Sequence, residues 1–204
     1  MLNYAMRGKK MKLKELTDVR IGLSLERKKA NLASTNTIDY KALTLKSFVS
    51  SNDLGELPYE HFTASAKIGT QYLTKENDVI VRLRSPNHAI FINNNNTGLM
   101  VSSLMAIITN IFPNVLDSNY LTYYLNLQFT QNKLVTQGTA IPMIKTADLM
   151  ELEINLPPLE KQQKIVNYID AANQEIDLLN KLINEKNQLK TEIFETLINK
   201  GEDI

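Results

Sequence analysis

The chain has no cysteine, which excludes disulfides and thiolate metal sites, and its two histidines, His61 and His88, are too few for a zinc site. Long apolar runs are missing as well. Nothing approaches the roughly 20 residues that span a bilayer, and the N-terminus lacks the apolar core of a signal peptide, so a cytoplasmic chain without membrane contact is expected. There is no Walker loop, so any ATP hydrolysis belongs elsewhere. Neither a glycine-rich nucleotide-binding strand end nor the Asn/Asp-Pro-Pro-aromatic motif of amino-methyltransferases is present. Asn155-Leu156-Pro157-Pro158-Leu159 has neither the spacing nor the aromatic. Strong charge of one sign is also absent, with 23 basic residues against 22 acidic.

The distribution of that charge is more informative than its sum. Up to Pro158 there are 17 Lys and Arg against 13 Asp and Glu, a balance of +4; from Leu159 onward there are 6 against 9, a balance of −3. A basic head suits phosphate and an acidic tail suits protein, although a balance this small implies modest intrinsic DNA affinity and ordinary surface scatter accounts for it equally well.

What the tail does have is a long helical pattern. Pro157-Pro158 fix extended backbone and are tolerated just before a helix start, and no Gly or Pro follows until Gly201. Ile165, Ile169, Ala172, Ile176, Leu179 and Ile183 then recur in a 4-3-4-3-4 rhythm, the seam of a coiled coil flanked by Glu and Lys. Lys186 and Lys190 occupy the next two seam positions. The apolar line shifts to Leu182 and Leu189 before resuming at Ile193 and Leu197, a break of the kind that sets register or loosens packing. Roughly 40 helical residues reach about 60 Å at 1.5 Å each, and a single helix cannot bury its own stripe. A partner helix is expected.

The head reads as β-rich between Tyr40 and Val115. Ala42-Leu43-Thr44-Leu45, Val79-Ile80-Val81-Arg82-Leu83, Ala89-Ile90-Phe91-Ile92 and Leu99-Met100-Val101 are expected strands bounded by Asn, Asp, Gly and Pro, and they suggest a rolled sheet. Leu13, Leu16 and Val19 would line a short helix or turn ended by Gly22, after a floppy lead over residues 1–10. Asn93 to Gly98 is a turn in which Asn tolerates positive φ and caps with its side chain. Asn94 is also a candidate for reading adenine, though turn chemistry alone explains the cluster. Asp117-Ser118 should cap a helix running from Tyr120 to about Leu134, with its tyrosines in the core. His61 is expected to pack and His88 to sit in a turn.

Candidate phosphate or base contacts are Arg27 and Lys28 in the basic triplet with Lys29, and Arg82 and Arg84, which alternation places on one strand face. Each also fits a solvated or salt-bridged surface. Lys133, near a helix end, also fits dipole compensation.

At the junction the residues carry a resemblance. Leu156-Pro157-Pro158-Leu159-Glu160-Lys161-Gln162-Gln163-Lys164-Ile165 and the run from Ile176 to Lys186 resemble the conserved region of DNA-specificity subunits of type I restriction-modification systems. Gln137-Gly138-Thr139-Ala140-Ile141-Pro142-Met143-Ile144-Lys145-Thr146, leading into Glu153-Ile154-Asn155, resembles the end of that family's target recognition domain, and Asn77 to Arg82 resembles an earlier strand of it. The resemblance covers most of the chain, more closely from Gln137 to about Lys200. It implies a mixed α+β fold: a target recognition domain over 11–158, then one long helix over 159–200 that forms an antiparallel coiled coil with a second copy and docks methyltransferase subunits, with a tail at 201–204. It adds Gln137, Thr139 and Lys145 as DNA-contact candidates.

Family members usually carry two recognition domains and two helices, whereas this chain has one of each, so a homodimer of half-subunits and a piece of a longer product both fit. The resemblance implies double-stranded DNA, methyltransferase subunits and a restriction subunit as partners. S-adenosylmethionine, ATP and Mg would be bound by those partners and no cofactor by this chain. Two rival readings stand beside it. One is a coiled-coil adaptor without DNA specificity; the other is a small metal-dependent nuclease built from Asp18 and Asp39-Tyr40-Lys41.

Overall fold

The computed structural model describes residues 9–30, 37–48, 57–85, 87–134 and 143–200. Its strands, in chain order, are β1 (Lys9–Lys12), β2 (Thr17–Ile21), β3 (Ile38–Leu43), β4 (Tyr59–Ala64), β5 (Val79–Arg82), β6 (Ala89–Phe91), β7 (Met105–Asn110) and β8 (Glu153–Leu156). Its helices are α1 (Ser118–Asn126), α2 (Gln128–Leu134), α3 (Thr146–Glu151) and α4 (Leu159–Lys200). The chain divides into two units, one ending at Val166 and one beginning at Asn167.

In the first unit, two apolar runs without polar interruption, Val79-Ile80-Val81 and Ala106-Ile107-Ile108, form the inner strands of an antiparallel sheet ordered β2-β7-β5-β6. A strand apolar on both faces must be covered on both. On one side Val79, Val81, Ala106 and Ile108 meet Leu121 and Leu125 of α1, Leu149 of α3, and Ile154 and Leu156 of β8. On the other, Ile80 and Ile107 meet Leu43, Phe48, Leu57, Leu99 and Val101. Two two-stranded ribbons complete the unit: β3 with β4, and β1 with β8, which joins Lys9 to Leu156 and Lys12 to Glu153. A third, smaller core of Ala42, Ala64, Ile68 and Met100 lies under the β3–β4 ribbon.

Several sequence expectations change. The first run yields β3 over Ile38–Leu43 and a 3-10 turn over Leu45–Phe48, because Ser47 turns the chain by donating to the Pro58 carbonyl. Leu99-Met100-Val101 is not a strand. Met100 makes only single bridges, to Ala42 and Leu73, while the adjoining strand is β7. Leu13–Glu15 is a 3-10 turn, but Val19 lies in β2. The helix expected to reach Leu134 breaks at Leu127, whose ψ of 135° is extended, and resumes as α2. Lys9 and Lys10 belong to β1 rather than to a floppy lead, and residues 1–8 lie outside the described residues.

In the Asn turn the residues at positive φ are Gly98 and, outside the cluster, Asn77. The cluster works through side chains instead: buried Asn96 accepts from Leu57 N at 2.7 Å and donates to Asn93 Oδ1. Asp117 does cap α1, accepting from Tyr120 N at 2.9 Å, and Tyr120 and Tyr124 are buried in the core.

The 42-residue α4 begins after Pro158, and its first two turns, through Val166, belong to the first unit. Val166 is part of the main core and Ile165 packs against it. Ile165 is therefore a head residue by its packing, although its spacing placed it on the seam. In the second unit Ile176, Leu179, Ile183, Leu189, Ile193 and Leu197 are all exposed. Among the described residues no helix is long and apolar enough to cross a membrane.

Candidate nucleic-acid interface

Strand β5 does not end its extended course at Arg82. Leu83 remains buried, and Arg84 forms an antiparallel bridge with Met143, while Ile144 N donates to Leu83 O at 2.8 Å. Residues directly opposite in such a pair share a face. Leu83 and Ile144 turn inward together, whereas Arg84 and Met143 turn to solvent, and alternation returns Lys145 to solvent two residues on. The rung thus brings Arg84 and Lys145, 61 positions apart, onto one exposed edge.

Arg82 lies on the same strand face as Arg84, as alternation predicts. It is half-buried, Nη2 donates to Ser85 O at 3.1 Å, and Nε is buried without a hydrogen-bond partner among the described residues. Lys145 is the N-cap residue of α3 but makes no side-chain cap bond.

A second basic edge lies on β4. Ala30 N donates to Thr63 O and Ser65 N to Lys28 O, both at 2.9 Å, so the segment carrying exposed Arg27, Lys28 and Lys29 is stitched along that strand. On the ribbon's open face Lys41 opposes His61 in register. Lys41 Nζ sits 4.3 Å from the Tyr59 ring centroid, and His61 meets the same ring edge-on at 5.5 Å. His61 is exposed, contrary to its expected packing, because its strand position faces solvent; His88 is exposed but lies just before β6 rather than in a turn, its carbonyl accepting from Arg82 N at 2.8 Å. The Lys41–Tyr59–His61 group was not singled out in the sequence. Its signal is the alternation Tyr59-x-His61, which acquires meaning only once the β3–β4 register is known.

The remaining candidates sit on separate elements. Asn94 is exposed in the 3-10 turn after β6, and exposed Lys133 lies in the last turn of α2 with its ammonium 5.6 Å from the Phe129 ring centroid. Gln137 and Thr139 lie outside the described residues.

The carboxylates of the rival nuclease reading are not gathered. Asp18 accepts from Arg20 Nη1 at 2.7 Å on β2, whereas Asp39 accepts from Thr63 Oγ1 at 2.6 Å on the β3–β4 ribbon. Among the described residues no group of three or more His, Cys, Asp or Glu could hold a metal ion. The strongest perturbation of a carboxyl is structural: Lys12 and Lys14 both donate to Glu151 and push its pKa down to about 2. Exposed guanidinium and ammonium groups on a strand edge, with no carboxylate ion-paired to Arg84 or Lys145 among the described residues, offer a surface suited to phosphate oxygens and base edges.

Comparison with known proteins agrees with this architecture. The family described as type I restriction modification DNA specificity domain matches residues 8–188. A curated relative, the type I restriction enzyme MjaVIII specificity subunit of Methanocaldococcus jannaschii, is 33% identical over 87 residues, which is 43% of this chain and 20% of that protein. Three solved structures share the fold. A chain from a study of complex assembly and conformational transition of the type I R-M system aligns with a TM-score of 0.59 at 20% identity, covering 87% of this chain and 41% of that one. The HsdS subunit from Thermoanaerobacter tengcongensis gives 0.51 at 20% identity, covering 85% and 39%. The type I restriction-modification S subunit from M. genitalium gives 0.56 at 19% identity, covering 94% and 46%. The chain thus spans less than half the length of each of these relatives. The family match runs through all eight strands and most of α4, and the chain belongs to the type I restriction modification DNA specificity domain family.

Proposed function

We propose that this chain is a non-catalytic recognition subunit that reads a short sequence in double-stranded DNA and directs methyltransferase subunits, and a restriction subunit where one is present, to it. The observation that carries the reading is the exposed edge that presents both Arg84 and Lys145, with Arg82 on the same strand face. Planar guanidinium groups suit guanine or phosphate and an ammonium suits phosphate. S-adenosylmethionine, ATP and Mg belong to the partner subunits, and the complex works in the cytoplasm. The exposed stripe of α4 pairs antiparallel with a second copy, so that the two helices act as spacer and docking surface and two heads address an inverted repeat.

The test is a genome-wide map of methylated bases in cells with and without the gene. Loss of one bipartite motif with identical inverted halves supports both recognition and the homodimer. Non-identical halves would point to pairing with a different recognition chain, and no lost motif in cells whose methyltransferase is active refutes the DNA-specificity reading.

A further inference from the structure

Both edges of the β3–β4 ribbon are engaged by backbone. Along β4, Ala30 N donates to Thr63 O and Ser65 N to Lys28 O; along β3, Met100 N donates to Lys41 O at 2.7 Å and Leu43 N to Met100 O at 2.9 Å. One face is engaged as well, because Ala42 and Ala64 are buried in the third core and Tyr40 and Phe62 pack against it. Alternation and register put Asp39, Lys41, Tyr59, His61 and Thr63 together on the opposite face. That face closes at Leu43, which is buried in the second core with Tyr59 packed against it. What the ribbon offers a partner is therefore side chains, not backbone.

At the centre of this face exposed Lys41 stands directly opposite exposed His61. Side chains so placed on antiparallel strands start about 4.5–5.5 Å apart at Cβ. The Lys41 ammonium lies 4.3 Å from the Tyr59 ring centroid, and His61 meets the same ring edge-on at 5.5 Å. Lysine carries donors and no acceptor, and histidine keeps an N–H donor in either protonation state. Two sets of donors thus share one aromatic floor. Among the described residues no carboxylate is ion-paired to Lys41. Asp39, on the same face, accepts from Thr63 Oγ1 at 2.6 Å, and Glu60 alternates onto the other face.

The character of the face selects its partner. Its exposed residues are Asp39, Lys41, His61 and Thr63, while exposed Ile38 alternates onto the other side. Protein interfaces are built around buried aromatic and aliphatic anchors, whereas nucleic-acid interfaces are polar, wet and positively charged. Exposed Lys28 and Lys29, on the segment stitched along β4, carry positive charge past the ribbon's edge.

We propose that Lys41 and His61 grip a backbone phosphate of duplex DNA, making the β3–β4 ribbon a contact surface additional to the Arg84–Lys145 edge. This rests on the DNA-recognition reading above. It assigns the ribbon to affinity and not to sequence readout, because phosphate carries no base information.

The experiment uses the full chain with its methyltransferase and fluorescence anisotropy on cognate and scrambled duplexes between 50 and 200 mM salt. Each neutralised phosphate contributes about 0.9 to the salt slope, so Lys41→Gln should flatten it by about 0.9 per chain on both duplexes, equivalent to about 3.5-fold less affinity lost across that range. Lys41→Arg keeps the charge and should keep the native slope. His61→Ala removes a hydrogen bond and should weaken binding to both duplexes by roughly two- to twelvefold. In the Lys145→Ala background the flattening by Lys41→Gln should be undiminished, since the two lysines meet different phosphates.

An unchanged slope in Lys41→Gln, or an effect confined to the cognate duplex, overturns the proposal. Lost methyltransferase association with an unchanged slope overturns it too, and gives the face to protein. If no duplex is preferred yet Lys41→Gln still flattens the slope, the sequence-reading role fails while the phosphate contact stands. A native complex that binds neither duplex sinks both.

Discussion

Removing Lys145 should change how DNA affinity responds to salt, and by an amount the geometry fixes. Lys145 is an exposed ammonium beside the Arg84–Met143 rung, and on the reading proposed above it supplies one phosphate contact per chain and two in a two-fold dimer. Each neutralised phosphate contributes about −0.9 to the slope of log K against log salt on duplex DNA, so Lys145→Ala should flatten the slope by about 1.8. Between 50 and 200 mM salt the native complex should then lose about 12-fold more affinity than the variant does. The assay is fluorescence anisotropy on cognate and scrambled duplexes at four or five salt concentrations, in the presence of the methyltransferase.

Arg84 separates two outcomes within the same experiment. If it grips phosphate, Arg84→Ala flattens the slope like Lys145→Ala on both duplexes. A base-reading Arg84 leaves the slope intact, and its loss costs about 1–3 kcal/mol on the cognate duplex alone. The effect of Arg82→Ala should be smaller, since Arg82 is half-buried and already donates to Ser85 O. Unchanged slopes and affinities in both Lys145→Ala and Arg84→Ala would refute this face as the DNA surface.

Leu179 and Ile183 are 52% and 56% exposed, and a partner helix would bury that remainder. At roughly 1 kcal/mol each, four such positions across a dimer are worth about 4 kcal/mol, so Leu179→Asp with Ile183→Asp should weaken self-association about 700-fold while the head stays folded; unchanged mass by light scattering would exclude the coiled-coil dimer. A Cβ at Gly22 would stand 2.2 Å from Ser102 O and 2.5 Å from Val101 O, both backbone. Gly22→Ala should therefore destabilise by about 1–3 kcal/mol and lower Tm by about 3–10 °C. By contrast, Gly98→Ala meets no neighbour and suffers only from its φ of +78°, a cost of about 1–2 kcal/mol.

Glu151 should stabilise the fold in one pH window. Lys12 and Lys14 hold its folded pKa at about 2, below its ordinary 4.5, so the contribution is fully present above pH 4.5 and lost as pH falls through 2. Denaturation curves of native protein and Glu151→Gln should differ slightly at pH 7 and converge near pH 2; a gap that widens on acidification would show the sign to be wrong.

The parts of this fold legible in the sequence are those set by neighbours along the chain. Asp117 before a polar-apolar repeat announces the α1 cap, Pro157-Pro158 announce the start of α4, and Val79 to Arg82 carries its own strand signature. Met105–Asn110 has the same chemistry as β5, but a continuous apolar run lacks the period that separates strand from helix. The β3–β4 ribbon was half seen because β4 reads Tyr-Glu-His-Phe-Thr-Ala, a mixture that becomes a strand only against β3.

The candidate site depends still more on pairing. Arg82 and Arg84 could be placed on one face by alternation, but nothing in the sequence says that Met143 bridges Arg84 and carries Lys145 beside it.

The β1–β8 ribbon imposes an order of events on a newly made chain. Lys9 and Leu156 are 147 positions apart, and Leu13 N must also find Leu152 O, so this clasp closes the largest loop in the head and carries its slowest pairing. It cannot close until β8 has left the ribosome. The 42 residues of α4 are translated after β8, and at 5–20 residues per second their synthesis takes about 2–8 s. In the dimer proposed above, every strand of a head is therefore synthesised seconds before the pairing helix is complete, which favours folding of the head before pairing.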